Sequence, residues 1–345
     1  RASSGGESRM TRGSYGADEV YTRMAWDSLP DWKTLSAKAG LPIFHETGVL
    51  FFFPAVEPFV EQSLVVHSQL GLPTERLDPE TLARRFPMID FTGVAIGLYE
   101  PRFGALMARR AVQTLVADFV AAGGRYEQSA IVPPTQTGER LTHVTTTRGQ
   151  RLEADRFVFA CGPWLPKLFP DLLGRRIFPT RQEVFFFAPE AGDDRFRAPH
   201  LPGWADFNGG DIYYGFPDLE GRGFKIAHDA HGVAFDPDSG DRRPTEAALA
   251  DVRAFMARRF PALATRPLTE ARVCQYENSS NGDLLIDFHP QYGNALLLGG
   301  GSGHGFKHGP AVGRYAADRL TDKLATFEPR FSLATKSERA ARAVH

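Results

Sequence analysis

The stretch LLGGGSGHGFK, residues 297–307, joins an apolar run to a helical one and puts five glycines into seven positions. Glycine loses more backbone freedom on folding than any other residue, so such a turn is retained where something approaches the backbone closely. A buried strand, a glycine turn and a helix starting near Gly309 aim N–H groups and the positive end of a helix dipole at the strand's carboxyl end. An electron-rich ligand edge or a phosphate is stabilised there; a tight packing turn is the competing account.

Working outward, NALLLGGG reads as a buried strand and GPAVGRYAADRLTDKLA as a helix with Val312, Tyr315, Ala316 and Leu320 on its apolar face. Upstream, residues 20–38 carry helical spacing that Pro30 is expected to kink or divide. LPIFHETGVLFFFP reads as strand, turn and strand, and residues 55–71 as an amphipathic helix. Asp78 before Pro79 marks a helix start, and Gly123-Gly124 a helix stop after residues 107–122. RYEQSAIV and LTHVTTTRG read as short strands, and RFVFACG as an apolar strand broken by Gly162. RQEVFFFAP, DIYYGFPD and GFKIAHD return to β character, Thr245 caps a further helix, and the segment after Phe327 reads as a loosely packed basic tail.

The chain has 345 residues, too many for one small core, so two domains built from non-contiguous pieces are expected, with a ligand cleft between them. Forty basic and 41 acidic residues leave a net charge of −1, which offers no field for nucleic acid or an anionic membrane and points to a small-molecule partner. No apolar run reaches the roughly 18 residues of a membrane span and no signal peptide core is present, so a cytoplasmic location is expected. Cys161 and Cys274 are too isolated for a disulfide framework, and no metal site is read from the sequence.

Five ordered blocks carry a resemblance: GESRMTR at 6–12, IYYGFP at 212–217, GFK at 223–225, VCQYENSSNGDLLID at 273–287 and SGHGFK at 302–307. In order and spacing they resemble the monomeric sarcosine oxidase and N-methyltryptophan oxidase family of FAD-dependent amine oxidases. The resemblance implies α/β and α+β architecture: an FAD-binding dinucleotide-fold domain (1–42, 106–176 and 281–325) interleaved with a β-sheet-rich substrate domain (43–105 and 177–280), followed by a basic tail at 326–345. It implies FAD bonded covalently to Cys274, with Arg9 against the flavin and Ser8, Gly162, Gly301, Gly303, Gly305 and Phe306 also in the cofactor site. By the same mapping Arg12 and Lys307 bind the substrate carboxylate, Lys225 activates dioxygen, and His304, Tyr214 and Tyr276 line the substrate side. Cys161, inside its apolar strand, is read as a structural thiol.

Two departures qualify the mapping. The family's second histidine after GFK has no clear equivalent, since His228 stands three residues past Lys225 and Asp229 follows it. No GxGxxG occurs in the first 100 residues, so the dinucleotide fold is expected to be incomplete at its N-terminus, with the ADP-binding unit lying upstream or supplied by a second chain. The implied reaction is oxidation of a secondary or N-substituted amino acid with dioxygen reduced to hydrogen peroxide. A flavin dehydrogenase serving a carrier, and a flavin-free binding scaffold completed by another chain, are the alternatives.

Overall fold

Every residue of Val49–Phe53, VLFFF, is buried, so this segment is stable only as an interior strand covered on both faces. In the computed structural model, which describes residues 2–208, 211–229, 232–321 and 327–338, it occupies that place in an eight-stranded sheet. The order across the sheet is Leu268–Ser279, Ile177–Phe187, Phe224–His228, Asp211–Phe216, Gly203–Asn208, Val49–Phe53, Ile96–Glu100 and Glu75–Leu77. All neighbours are antiparallel except Val49–Phe53 with Gly203–Asn208.

One face of this sheet carries an aromatic core against the Glu246–Arg259 helix, with Trp204 stacked between Phe224 at 5.7 Å and Phe255 at 5.9 Å. Thr245 caps the helix through the Ala248 N–H, as its sequence position implies. At the helix's far end Arg259 is buried and donates to Asp206 Oδ2 at 2.7 Å and to the carbonyls of Thr92 and Asp90 at 2.7 and 3.0 Å.

A second layer pairs Ala295–Gly299 antiparallel with Leu285–Phe288 and parallel with Phe157–Phe159, leaving the last at the sheet edge. Helices Glu19–Ala39 and Gly309–Leu320 cover it through Tyr21, Val312 and Ala316. A third sheet, Phe44–His45 with Gly104–Met107 and Ser8–Thr11, places the N-terminal segment beside the large sheet's other face. No described helix is long and apolar enough to cross a membrane.

Three sequence expectations need correction. Pro30 does not divide its helix, which runs unbroken from Glu19 to Ala39; burial of Ala25, Leu29 and Trp32 along one face outweighs the lost donor. RYEQSAIV forms no strand beyond a single bridge from Ile131 to Thr146, because its charged and polar side chains find no covering layer. The segment after Phe327 is not loose through residue 338. Phe331 is buried, Ser332 Oγ and the Leu333 N–H bond Asp287 Oδ2 at 3.1 and 2.9 Å, and Arg176 donates to the Lys336 carbonyl.

Replacing Arg259 with Ala leaves Asp206 buried without its cation and strips two carbonyls of their donor. The expected loss is about 3–5 kcal/mol of unfolding free energy, read as a lower denaturant midpoint with unchanged slope.

Candidate functional site

Side chains alternate faces along a strand, so in Leu268–Ser279 the residues Arg272, Cys274 and Tyr276 emerge on one side. The register aligns Gln182 with Cys274 and Val184 with Arg272, and places Tyr214 opposite Ala227 on the next strands. This face floors a cavity of about 390 Å³ whose roof is Ser8–Thr11 and the 302–307 turn. A volume of this size suits a bound small molecule.

Ser8 joins floor to roof. Lys225 Nζ donates to the Ser8 carbonyl at 3.0 Å and contacts Ser8 Oγ at 3.2 Å, while Arg9 Nη1 donates to the same carbonyl at 3.0 Å. Arg9 Nη2 also lies 3.6 Å from Cys274 Sγ. Two cations and the thiol therefore converge on one end of the cavity. Burial drives the Lys225 ammonium well below the ordinary lysine range, with the Arg9 charge adding to the effect.

At the other end Tyr15 organises a second cationic pair. The Arg12 guanidinium lies over its ring at 3.9 Å, and Lys307 Nζ donates to its hydroxyl at 2.9 Å and to the His304 carbonyl at 2.8 Å. The Tyr15 hydroxyl faces His308 Nε2 at 2.9 Å and His304 Nδ1 at 3.3 Å. His304 Nε2 stands 3.2 Å from the Gly282 carbonyl, which can only accept, so that nitrogen carries the proton. Burial lowers the proton affinity of Lys307 and His308 strongly. Glu100, fully buried, accepts from the Gly13 N–H at 2.8 Å and from Ser14 Oγ, which fixes the loop carrying Arg12 and Tyr15.

Between these ends Tyr214 and Tyr276 are hydrogen-bonded to each other; burial pushes Tyr214 up to about 12 and Tyr276 higher still, so both phenols stay protonated. The glycine turn fits against them. Gly303 has φ +84°, and a Cβ there would come 2.7 Å from the Tyr276 ring, so both backbone and space demand glycine.

Among the residues expected from sequence, Ser8, Arg9, Lys225 and Cys274 line one part of this cavity. Arg12, Tyr214, Tyr276, Gly303, His304, Phe306 and Lys307 line the rest. Gly301 and Gly305 pack on each other instead, with the Gly305 N–H bonded to the Gly301 carbonyl at 2.8 Å. Gly162 lies away from the cavity, at a φ of +56° in the turn after Phe157–Phe159. Cys161 is largely buried, which pushes its thiol up to about 11. His228 points to the opposite side, stacked on Tyr213 at 4.2 Å and 2.9 Å from Asp251; Asp229 is the residue that reaches the cavity.

Sequence reasoning missed Tyr15, Glu100 and Glu277. The spacing Arg12-x-x-Tyr15 was a legible signal for the first; nothing local marks the other two. Glu277 sits on the strand face away from the cavity, buried against the Gly300 and Gly301 N–H groups, and desolvation holds it at about 8.

The donor set fits an electron-rich planar ring carried with a carboxylate. Lys225 and Lys307 are buried yet hydrogen-bond only neutral oxygens among the described residues, and burying a cation that is not directly ion-paired is costly. An anion or electron-rich edge arriving in the cavity relieves that cost at both ends.

Residues 1–319 match the family model described as DAO, FAD dependent oxidoreductase. The chain is 29% identical over 315 residues to monomeric sarcosine oxidase from Bacillus sp., covering 89% of this chain and 79% of that one. It is 31% identical over 329 residues to N-methyl-L-tryptophan oxidase from Salmonella arizonae, covering 94% and 85%. Its fold is similar to that of L-proline dehydrogenase from P. horikoshii, with a TM-score of 0.81 at 20% identity over 96% of this chain and 87% of that one. Amadoriase I from Aspergillus fumigatus aligns with a TM-score of 0.78 at 19% identity, covering 98% and 83%.

Glu277 gives a pH signature. Its folded-state value near 8 exceeds the unfolded 4.5, so the native state binds the extra proton and stability falls as pH rises from about 4.5 to about 8. Glu277→Gln removes that dependence. Its stability advantage over the parent chain should grow across this window, as measured by denaturant midpoints at each pH.

Proposed function

The chain belongs to the DAO family of FAD-dependent oxidoreductases, and on that premise we propose that it oxidises a secondary or N-substituted amino acid to an imine, with dioxygen reduced to hydrogen peroxide. The observation that carries the reading is the pairing of Arg12 and Lys307 on Tyr15 within a cavity that also holds Lys225 and Cys274. The names of the sarcosine and N-methyltryptophan oxidases it resembles support the substrate class.

FAD, when bound, supplies the hydride acceptor and returns the electron pair to dioxygen. Arg12 and Lys307 bind the substrate carboxylate, the guanidinium by its planar fork and the ammonium as a point charge. Fixing the carboxylate orients the carbon next to nitrogen and saves the entropy of finding that pose. Tyr214 and Tyr276, kept neutral by burial, offer hydroxyl groups to the amine, and His304 presents its ring to the same space. Lys225 and Arg9 place positive charge where dioxygen gains electrons, in a site poor in water. Cys274 is the residue that would hold the cofactor covalently, its Sγ 3.6 Å from Arg9 Nη2.

The test is a panel of N-methyl, cyclic and glycated amino acids on FAD-loaded protein, read by peroxide release; turnover of none of them sinks the proposal. Lys225→Met should leave anaerobic flavin reduction by substrate near the parent rate and slow reoxidation by dioxygen roughly 100-fold or more. Cys274→Ser should yield flavin that acid extracts into the supernatant, whereas the parent protein retains it.

A further inference from the structure

Six basic side chains line the cavity: Arg9, Arg12, Lys225, Arg242, Arg272 and Lys307. They suit a carboxylate and an electron-rich ring, but they repel the other half of an amino acid. An ammonium nitrogen entering a site of reduced dielectric among these basic groups is best stabilised by an anion close at hand. Among the described lining residues the carboxylates are Glu7 and Asp229. Glu7 lies beside Arg222 at 3.4 Å and Arg109 at 3.6 Å. Asp229 lines the same cavity as Tyr214, Tyr276 and Lys307.

Its place is set by strand parity. Lys225, Ala227 and Asp229 fall on one face, and Ile226 and His228 on the other. The Asp229 N–H closes the ladder by donating to the Ile212 carbonyl at 2.7 Å, one step beyond the pairing of His228 with Tyr213. The charge of Asp229 acts on both tyrosine phenols and on Lys307, so it lies within electrostatic reach of the groups that bracket the substrate.

We propose that Asp229 is the amine-side specificity residue of this cavity: its carboxylate holds the substrate's ammonium nitrogen while Arg12 and Lys307 hold the carboxylate. The site thereby selects zwitterions over hydroxy acids and simple carboxylates of the same shape. This rests on the amino-acid reading given above and deepens it.

The test uses the full chain and two isosteric probes, 2-aminoisobutyrate and 2-hydroxyisobutyrate. Neither has a hydrogen on its α-carbon, so neither can give up a hydride there, and they differ in carrying an ammonium or a hydroxyl. Calorimetric titration of the parent protein should show tighter binding of the amino compound. Asp229→Asn should weaken that probe by about 10- to 100-fold while changing the hydroxy probe less than about threefold, the retained binding reporting an intact site. Asp229→Ala should behave alike and serves where the Asn protein does not fold. Equal affinity of the two probes for the parent protein, or a variant that weakens both or neither, overturns the role of Asp229 and leaves the carboxylate pair standing. Failure of the parent protein to bind either probe overturns the amino-acid reading, and this inference with it.

Discussion

The Ser8 carbonyl accepts from both Lys225 and Arg9, and the rest of the site is arranged around that convergence. Lys225 belongs to the large eight-stranded sheet and Arg9 to the small three-stranded one, so this shared acceptor fixes the roof over the floor. Both cations lose hydration, and a backbone carbonyl only partly replaces it. The protein tolerates that cost because the eight-stranded sheet and its aromatic core, centred on Trp204, hold the floor rigid from behind.

The opposite end repeats the design with an aromatic mediator. Tyr15 offers its face to Arg12 and its hydroxyl to Lys307, so one side chain sets the spacing of two cations that repel each other. Its own position follows from Glu100, which gathers the Gly13 N–H and the Ser14 hydroxyl, and from the two histidines beneath it. The glycine turn completes this end. Gly303 passes the Tyr276 ring where any Cβ would collide, whereas Gly301 and Gly305 let the turn close on itself. Of the two accounts that the sequence left open for this turn, tight packing is the one these contacts display: Gly303 against the Tyr276 ring, Gly301 and Gly305 against each other.

Much of this was legible before the fold was known. Apolar runs such as VLFFF and ALLLG have few alternatives to buried strands, and Asp78, Thr245 and Gly123-Gly124 mark helix ends by local chemistry alone. The motif blocks named most of the cavity wall, because residues such as Arg9 and Arg12 or Cys274 and Tyr276 lie on short local segments whose facing is set by period. What failed were judgements of context. Pro30 was expected to kink or divide a helix that is not divided, and residues 327–338 read as loose although Phe331 is buried and Ser332 and Leu333 find partners far away in the chain.

The amino-acid sequence by itself determined the mixed α/β class and most of the strands, which follow from local patterning, and its five ordered motifs carried the family resemblance that implied the flavin-site residues. Only the tertiary structure decided that Lys225 and Arg9 share one carbonyl, that Tyr15 joins Arg12 to Lys307, and that Asp229 rather than His228 reaches the cavity. Those facts depend on register and on distances between segments more than 200 residues apart, and no local preference encodes them.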